Sequence, residues 1–190
     1  MRTSAITLGI AAALASGSAS AWETTLLDAN TPAREQTITS KQLGIKAASP
    51  FSIQVQLLHG GRQEGVMLVT IDTGAMKITV VPNRGMNVAQ AVSGKVRLGW
   101  KSPVREIVNP AFLDQGARNG IGWLEGFNDL LTRCGYEWVG HAGADEDGTM
   151  LTLHGLAANI PASNVILSVD EKPPYTIRLK GLLREQAFKK

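Results

Sequence analysis

The feature that most limits what this chain can become is a two-residue alternation of apolar and polar side chains that sets in at residue 51. Phe51, Ile53, Val55 and Leu57 are apolar, with Ser52, Gln54 and Gln56 polar between them. Successive side chains of an extended strand point to opposite faces, so this run has one face for a core and one for water. Residues 59–65 carry turn chemistry, and 66–71 resume as a strand. Asp72-Thr73-Gly74 turns the chain again before Met76, Ile78 and Val80 share one face. Shorter runs follow at 86–92, 95–100, 150–154, 165–169 and 175–182. Most are bounded by Gly, Pro, Asn or Asp. Many short strands joined by such turns predict a mainly β fold, an antiparallel sandwich or barrel.

Helical signals are few. Trp123, Leu124, Phe127, Leu130 and Leu131 recur at helix-like spacing, although Gly122 and Gly126 weaken a helix there. Asn30-Thr31-Pro32 is a start signal for one short helix within residues 24–49. No internal repeat or low-complexity linker divides the chain, which predicts one domain.

Before that domain stands a segment with the build of a cleavable export signal. Arg2 gives a short positive start, residues 5–15 are apolar apart from Thr7 and Gly9, and Ala19-Ser20-Ala21 offers small residues ahead of Trp22. The apolar stretch is shorter than the ~20 residues that span a bilayer, so a leader over residues 1–21 and a domain over 22–190 are expected. The destination is secreted or periplasmic, with no membrane association after cleavage. The net charge of +3 is small and dispersed, and no basic run interleaved with aromatics precedes Lys189-Lys190, which argues against nucleic acid. A single cysteine, Cys134, excludes an internal disulfide, so stability must come from a core, in which Cys134 is expected as a small buried hydrophobe.

The usual catalytic signatures are missing. His59, His141 and His154 pair with neither one another nor Cys134 at metal-ligand spacing, and no phosphate loop, nucleophile elbow or dinucleotide fingerprint occurs. No cofactor and no metal are expected. Asp145-Glu146-Asp147-Gly148 lacks the spaced ligands of a calcium loop and reads as a solvated turn. Two polar clusters interrupt apolar strands. In Pro82-Asn83-Arg84-Gly85-Met86 the arginine either offers a fork of donors to hydroxyls or carboxylates, or is the exposed residue of an ordinary hairpin turn. In Leu151-Thr152-Leu153-His154-Gly155 the histidine either faces a cleft, or is a core residue satisfied by one backbone bond.

Six fragments in order carry a resemblance. They are Asn83-Arg84-Gly85-Met86-Asn87, Leu98-Gly99-Trp100-Lys101-Ser102-Pro103, Asn109-Pro110-Ala111-Phe112, Gly122-Trp123-Leu124-Glu125-Gly126-Phe127, Leu131-Thr132-Arg133-Cys134-Gly135 and Leu153-His154-Gly155. Together they resemble the DUF4432 family, a branch of the galactose-mutarotase-like (aldose 1-epimerase) superfamily. The resemblance implies a large antiparallel β-sandwich with a sugar-binding cleft, of which this chain covers about the N-terminal half. It implies that His154 holds sugar oxygens, that Arg84 is a second polar contact, and that Trp123 offers an apolar ring to a pyranose. Interconverting anomers needs a base at the anomeric hydroxyl and an acid at the ring oxygen, and a carboxylate and an imidazole suit those tasks. The superfamily's own base and acid lie further along than Lys190. Glu171 and Glu185 match neither motif, so the catalytic residues stay unassigned.

The expectation is an exported, aldose 1-epimerase-like protein that acts on or binds a small sugar. Two alternatives stand beside it. One is a carbohydrate-binding module without catalysis. The other is a truncated interaction or structural domain whose unpaired sheet edges lead to self-association.

Overall fold

The structure is a computed structural model and describes residues 21–186. The expected leader lies outside the described residues, save Ala21, the first residue of the first strand. In chain order the strands are β1 (Ala21–Leu27), β2 (Gln36–Thr39), β3 (Ser52–Leu57), β4 (Met67–Asp72), β5 (Lys77–Val81), β6 (Asn87–Ser93), β7 (Val96–Leu98), β8 (Gly143–Ala144), β9 (Met150–Leu151), β10 (Asn164–Asp170) and β11 (Ile177–Leu182). β2 to β7 form a six-stranded sheet in sequence order. β1, β10 and β11 form a three-stranded sheet with β10 in the middle, and β8 and β9 make a small hairpin of their own. Every pairing is antiparallel.

The alternation explains why the two larger sheets face each other. Register sets Val55 opposite Val69 and Val69 opposite Val80, with Ile53, Ile71 and Ile78 in the next row. These rows share one pleat face of the larger sheet. Leu26 of β1 and Val165, Leu167 and Val169 of β10 join them in one apolar cluster. Burying each such side chain stabilises the fold by about 1.5–3 kcal/mol relative to leaving it in water. The result is a mainly β, antiparallel sandwich. The opposite face of the larger sheet carries Gln54, Gln56, Thr70, Thr79, Gln90 and Arg97, and it is on this face that the functional candidates gather.

Three readings of the sequence change. No helix forms within residues 24–49: β1 covers its start and β2 its middle, and Asp28 Oδ1 accepts from the N–H groups of Asn30 (2.8 Å) and Thr31 (2.7 Å) in a tight turn between them. The turn uses up the polar signal that reads as a helix start, and β2 is held by its partner β3 more than by its own pattern. At Trp123 the helical spacing yields only a short 3-10 helix, Gly122–Gly126. Cys134 is exposed, because the irregular loop around it keeps it off the core. Among the described residues no helix is long and apolar enough to cross a membrane.

Candidate functional site

A cleft of about 680 Å³ opens over the polar face of the larger sheet. Its floor is built by strand alternation: Gln56 from β3, Leu68 and Thr70 from β4, Thr79 from β5, Ala89 and Gln90 from β6, and Arg97 from β7. Thr70 and Thr79 sit opposite each other in register and share a hydroxyl–hydroxyl bond of 3.1 Å. A bulge between Thr79 and Val80 leaves Ala89 unpaired, which bends β6 beside the cleft. Trp100, Lys101, Ser102, Val104, Arg105 and Ile107 supply the wall, with Asn128 behind it.

That wall is irregular chain, so its position depends on side-chain bonds. Ser102 Oγ donates to the Phe127 carbonyl at 2.7 Å and accepts from Val104 N–H at 3.0 Å. Asn128 Nδ2 donates to the carbonyls of Glu106 (2.9 Å) and Val104 (3.3 Å), and its Oδ1 accepts from Arg84 Nη1 at 2.9 Å. On the floor, Arg97 Nε donates to Gln90 Oε1 at 3.0 Å.

Arg84 is the root of this scaffold. The 82–86 segment is a hairpin turn, in which Arg84 N–H bonds to Val81 O and Asn87 N–H to Arg84 O, and Asn83 Oδ1 accepts from Met67 N–H at 2.7 Å. Gly85 and Met86 both have positive φ. The turn directs Arg84 inward, where its side chain is 1% exposed and its Nη2 lies 2.9 Å from Asp129 Oδ2. Asn87 Nδ2 donates to the same carboxylate oxygen at 3.0 Å. Burial pushes the Asp129 carboxyl above its usual range, and Arg84 and Asn87 offset part of that push. Burial likewise pulls the Arg84 guanidinium below its usual value, and Asp129 opposes it.

An aromatic row joins the cleft to the last candidate. Trp100 meets Phe127 at 5.1 Å, Phe127 stacks on Trp123 at 4.6 Å, and the edge of His154 meets Trp123 at 5.7 Å. Trp123 is 4% exposed and lies within the protein, whereas Trp100 is 42% exposed and lines the cleft. His154 is half-buried at positive φ, held by backbone bonds to Gly140 and Gly135, and its Nδ1 lies 3.5 Å from Val139 O.

Of the residues singled out in the sequence, Trp123 and His154 touch, and Arg84 reaches the cleft only through Asn128. None of the three lines it. Gln56, Gln90, Arg97, Trp100 and Arg105 do, and sequence reasoning passed over them as site residues. A signal for the glutamines was present: long amides repeat at the outward positions of strands. Trp100 stood inside a quoted fragment without a role. Glu185 accepts from the backbone N–H groups of Tyr136 (2.8 Å) and Glu137 (3.3 Å).

Comparison with known proteins agrees with this architecture. Residues 63–190 match the family described as "Domain of unknown function (DUF4432)". No curated protein matches the chain. Among solved structures, the chain is similar to a crystal structure from Klebsiella pneumoniae subsp. pneumoniae MGH 78578, provisionally described as an aldose 1-epimerase, with 45% identity and a TM-score of 0.85. The match covers 90% of this chain and 45% of that one, so the chain spans less than half the length of this relative.

Proposed function

Because the chain belongs to the DUF4432 family, we propose that it is an exported, aldose 1-epimerase-like protein that binds a sugar in the cleft above the six-stranded sheet. The observation that carries the reading is the open Trp100 ring beside a floor of amide and hydroxyl groups from Gln56, Thr70, Thr79 and Gln90. A sugar presents both surfaces that such a cleft can match: C–H groups that lie on an aromatic face, and hydroxyls that both donate and accept.

Binding is the part of the reaction that these residues suit. Ring opening and reclosure need a base for the anomeric hydroxyl and an acid for the ring oxygen, and among the described residues no carboxylate or imidazole lines the cleft. In this proposal anomer interconversion belongs to the longer architecture of the relative. His154 lies outside the cleft at the far end of the aromatic row, so the sugar oxygen that the resemblance implies for it is not part of the contact proposed in the cleft. Arg84 is assigned a positioning task, since it holds the wall through Asn128.

Titration with a panel of aldoses, followed by NMR of the tryptophan indoles, tests the reading. Saturable shifts at the Trp100 indole, with affinity read calorimetrically falling in Trp100→Ala, support it, and no shift with any sugar refutes it. Polarimetry on the same panel, with His154→Ala as the comparison, asks whether the chain speeds mutarotation. For export, the mass of protein recovered from outside the cytoplasm should correspond to a chain starting at Trp22. Retention of residues 1–21 would sink that part of the proposal.

A second reading has one observation behind it. Val96 and Leu98 are exposed on β7, which among the described residues pairs only with β6 and ends the larger sheet. An apolar edge of this kind invites strand addition by a second copy. Sedimentation that shifts with protein concentration and ignores added sugar would favour it.

A further inference from the structure

We infer that the cleft is built for an anionic sugar, one that carries a carboxylate or a phosphate, in preference to a neutral aldose. The inference rests on the sugar reading above and adds the chemical class of the ligand. Among the described residues three cations line the cleft, Arg97, Lys101 and Arg105, and no aspartate or glutamate does. Among the described residues none of the three has an ion-pair partner. The carboxylates nearest in sequence or register are directed away from the cleft lining. Asp72 pairs with Lys77 at 3.2 Å, Glu35 accepts from Leu57 N–H, and the Glu106 carboxylate lies against Gly61.

Geometry separates this trio from scattered surface charge. Arg97 lines the cleft, its Nε donates to Gln90 Oε1 and its guanidinium lies beside Gly99, and among the described residues no hydrogen bond or ion pair takes up its two terminal nitrogens. A planar fork held in this way suits a carboxylate or phosphate, which it can meet with two parallel bonds. Lys101 and Arg105 sit on the wall segment that Ser102 and Asn128 pin in place. Trp100 stands between Arg97 and Lys101 in sequence and lines the same cleft, so a sugar ring and its anionic substituent can be met by neighbouring groups. Concentrating one sign of charge in a cleft also raises the local concentration of the opposite sign.

The test compares one neutral aldose with its uronate and its terminal phosphate ester, and uses inorganic phosphate as the anion without a ring. Calorimetric titration at low salt should show at least one anionic derivative binding about tenfold tighter than the neutral sugar, the scale of one charge-assisted hydrogen bond. Arg97→Gln with Arg105→Gln should erase that preference, so that the anionic and neutral sugars bind alike, Arg97→Lys should lose much of it because Lys lacks the planar fork, and Trp100→Ala should weaken every sugar. Equal affinity for all three sugars, lost in Trp100→Ala, would overturn the anionic inference and leave the sugar reading standing. Inorganic phosphate binding as tightly as the sugar phosphate would mark a bare anion site and overturn both. Absence of binding by every probe would do the same. A preference for phosphate over carboxylate, or the reverse, names the anion within the supported outcome.

Discussion

The Arg84 guanidinium and the Asp129 carboxylate meet at 2.9 Å with side-chain exposures of 1% and 0%. Water screens such a pair very little, and each charge is tolerable only because the other is present. Among the described residues Asp129 Oδ1 and Arg84 Nε have no hydrogen-bond partner of their own, so the ion pair itself carries most of their compensation. Removing one partner leaves a buried charge alone. Arg84→Met should therefore cost about 3–5 kcal/mol in urea unfolding, and the double variant Arg84→Met with Asp129→Leu should recover much of that loss. A double variant as unstable as the single one would show that the pair's charges are not what matters there.

Asn128 connects that pair to the cleft wall, with one bond from Arg84 and two to the carbonyls of Val104 and Glu106. Asn128→Ala should cost about 1.5–3 kcal/mol, because the donor it abandons is charged and buried. Ligand affinity should fall as well, since the wall carries Trp100, Lys101 and Arg105. Asn128→Asp keeps the acceptor for Arg84 and loses the donor to the wall. Set beside Asn128→Ala it should separate the two effects: both variants lose the wall bonds and weaken binding of the sugar panel, and only Asn128→Ala also leaves Arg84 Nη1 without its acceptor.

Most of the sandwich was legible in the sequence because the pattern that announces a strand is the pattern that buries it. β3, β4, β5, β6 and β10 each lie within a residue or two of the alternating runs, since each has one face on a core. β1 and β2 escaped because they are edge strands whose conformation is set by pairing with β10 and β3. The candidate site was less legible. Arg84 has the composition of a turn residue, and only the tertiary fold shows that Asp129 lies beneath it. Trp100, Arg97 and Arg105 occupy an irregular stretch, where spacing says nothing about which side chains converge.

Gly85 lets two chain segments approach. Its φ is +59°, and a Cβ there would stand 2.2 Å from the carbonyl oxygen of Ala157, while its own N–H donates to Ile160 O. Gly85→Ala should cost about 3 kcal/mol or more, since backbone strain and a collision with main chain coincide. Gly94 is the control, with φ +56° and nothing within 4 Å of the added carbon. Gly94→Ala should carry only the conformational cost, about 1–2 kcal/mol. Similar losses in both variants would remove the collision from the argument.

Acid should loosen the smaller sheet through Asp170. The carboxylate receives both terminal nitrogens of Arg178, at 2.5 and 3.0 Å, across the β10–β11 pairing. This hydrogen bonding, ahead of the plain charge attraction, holds the Asp170 carboxyl below its ordinary value of 3.8. A depressed folded value means that the unfolded chain takes up the proton first. The stabilisation is therefore complete above about pH 3.8 and is lost as pH falls through the lower folded value. Asp28, Glu64 and Asp72 are depressed too, chiefly by backbone N–H groups of Asn30, Gly60 and Gly74. Arg178→Gln should accordingly flatten the fall in urea midpoint below pH 3.8 without abolishing it, and leave the slope near neutrality unchanged. An acid limb as steep as that of the native protein would show that the Asp170 pair contributes nothing to folding in water.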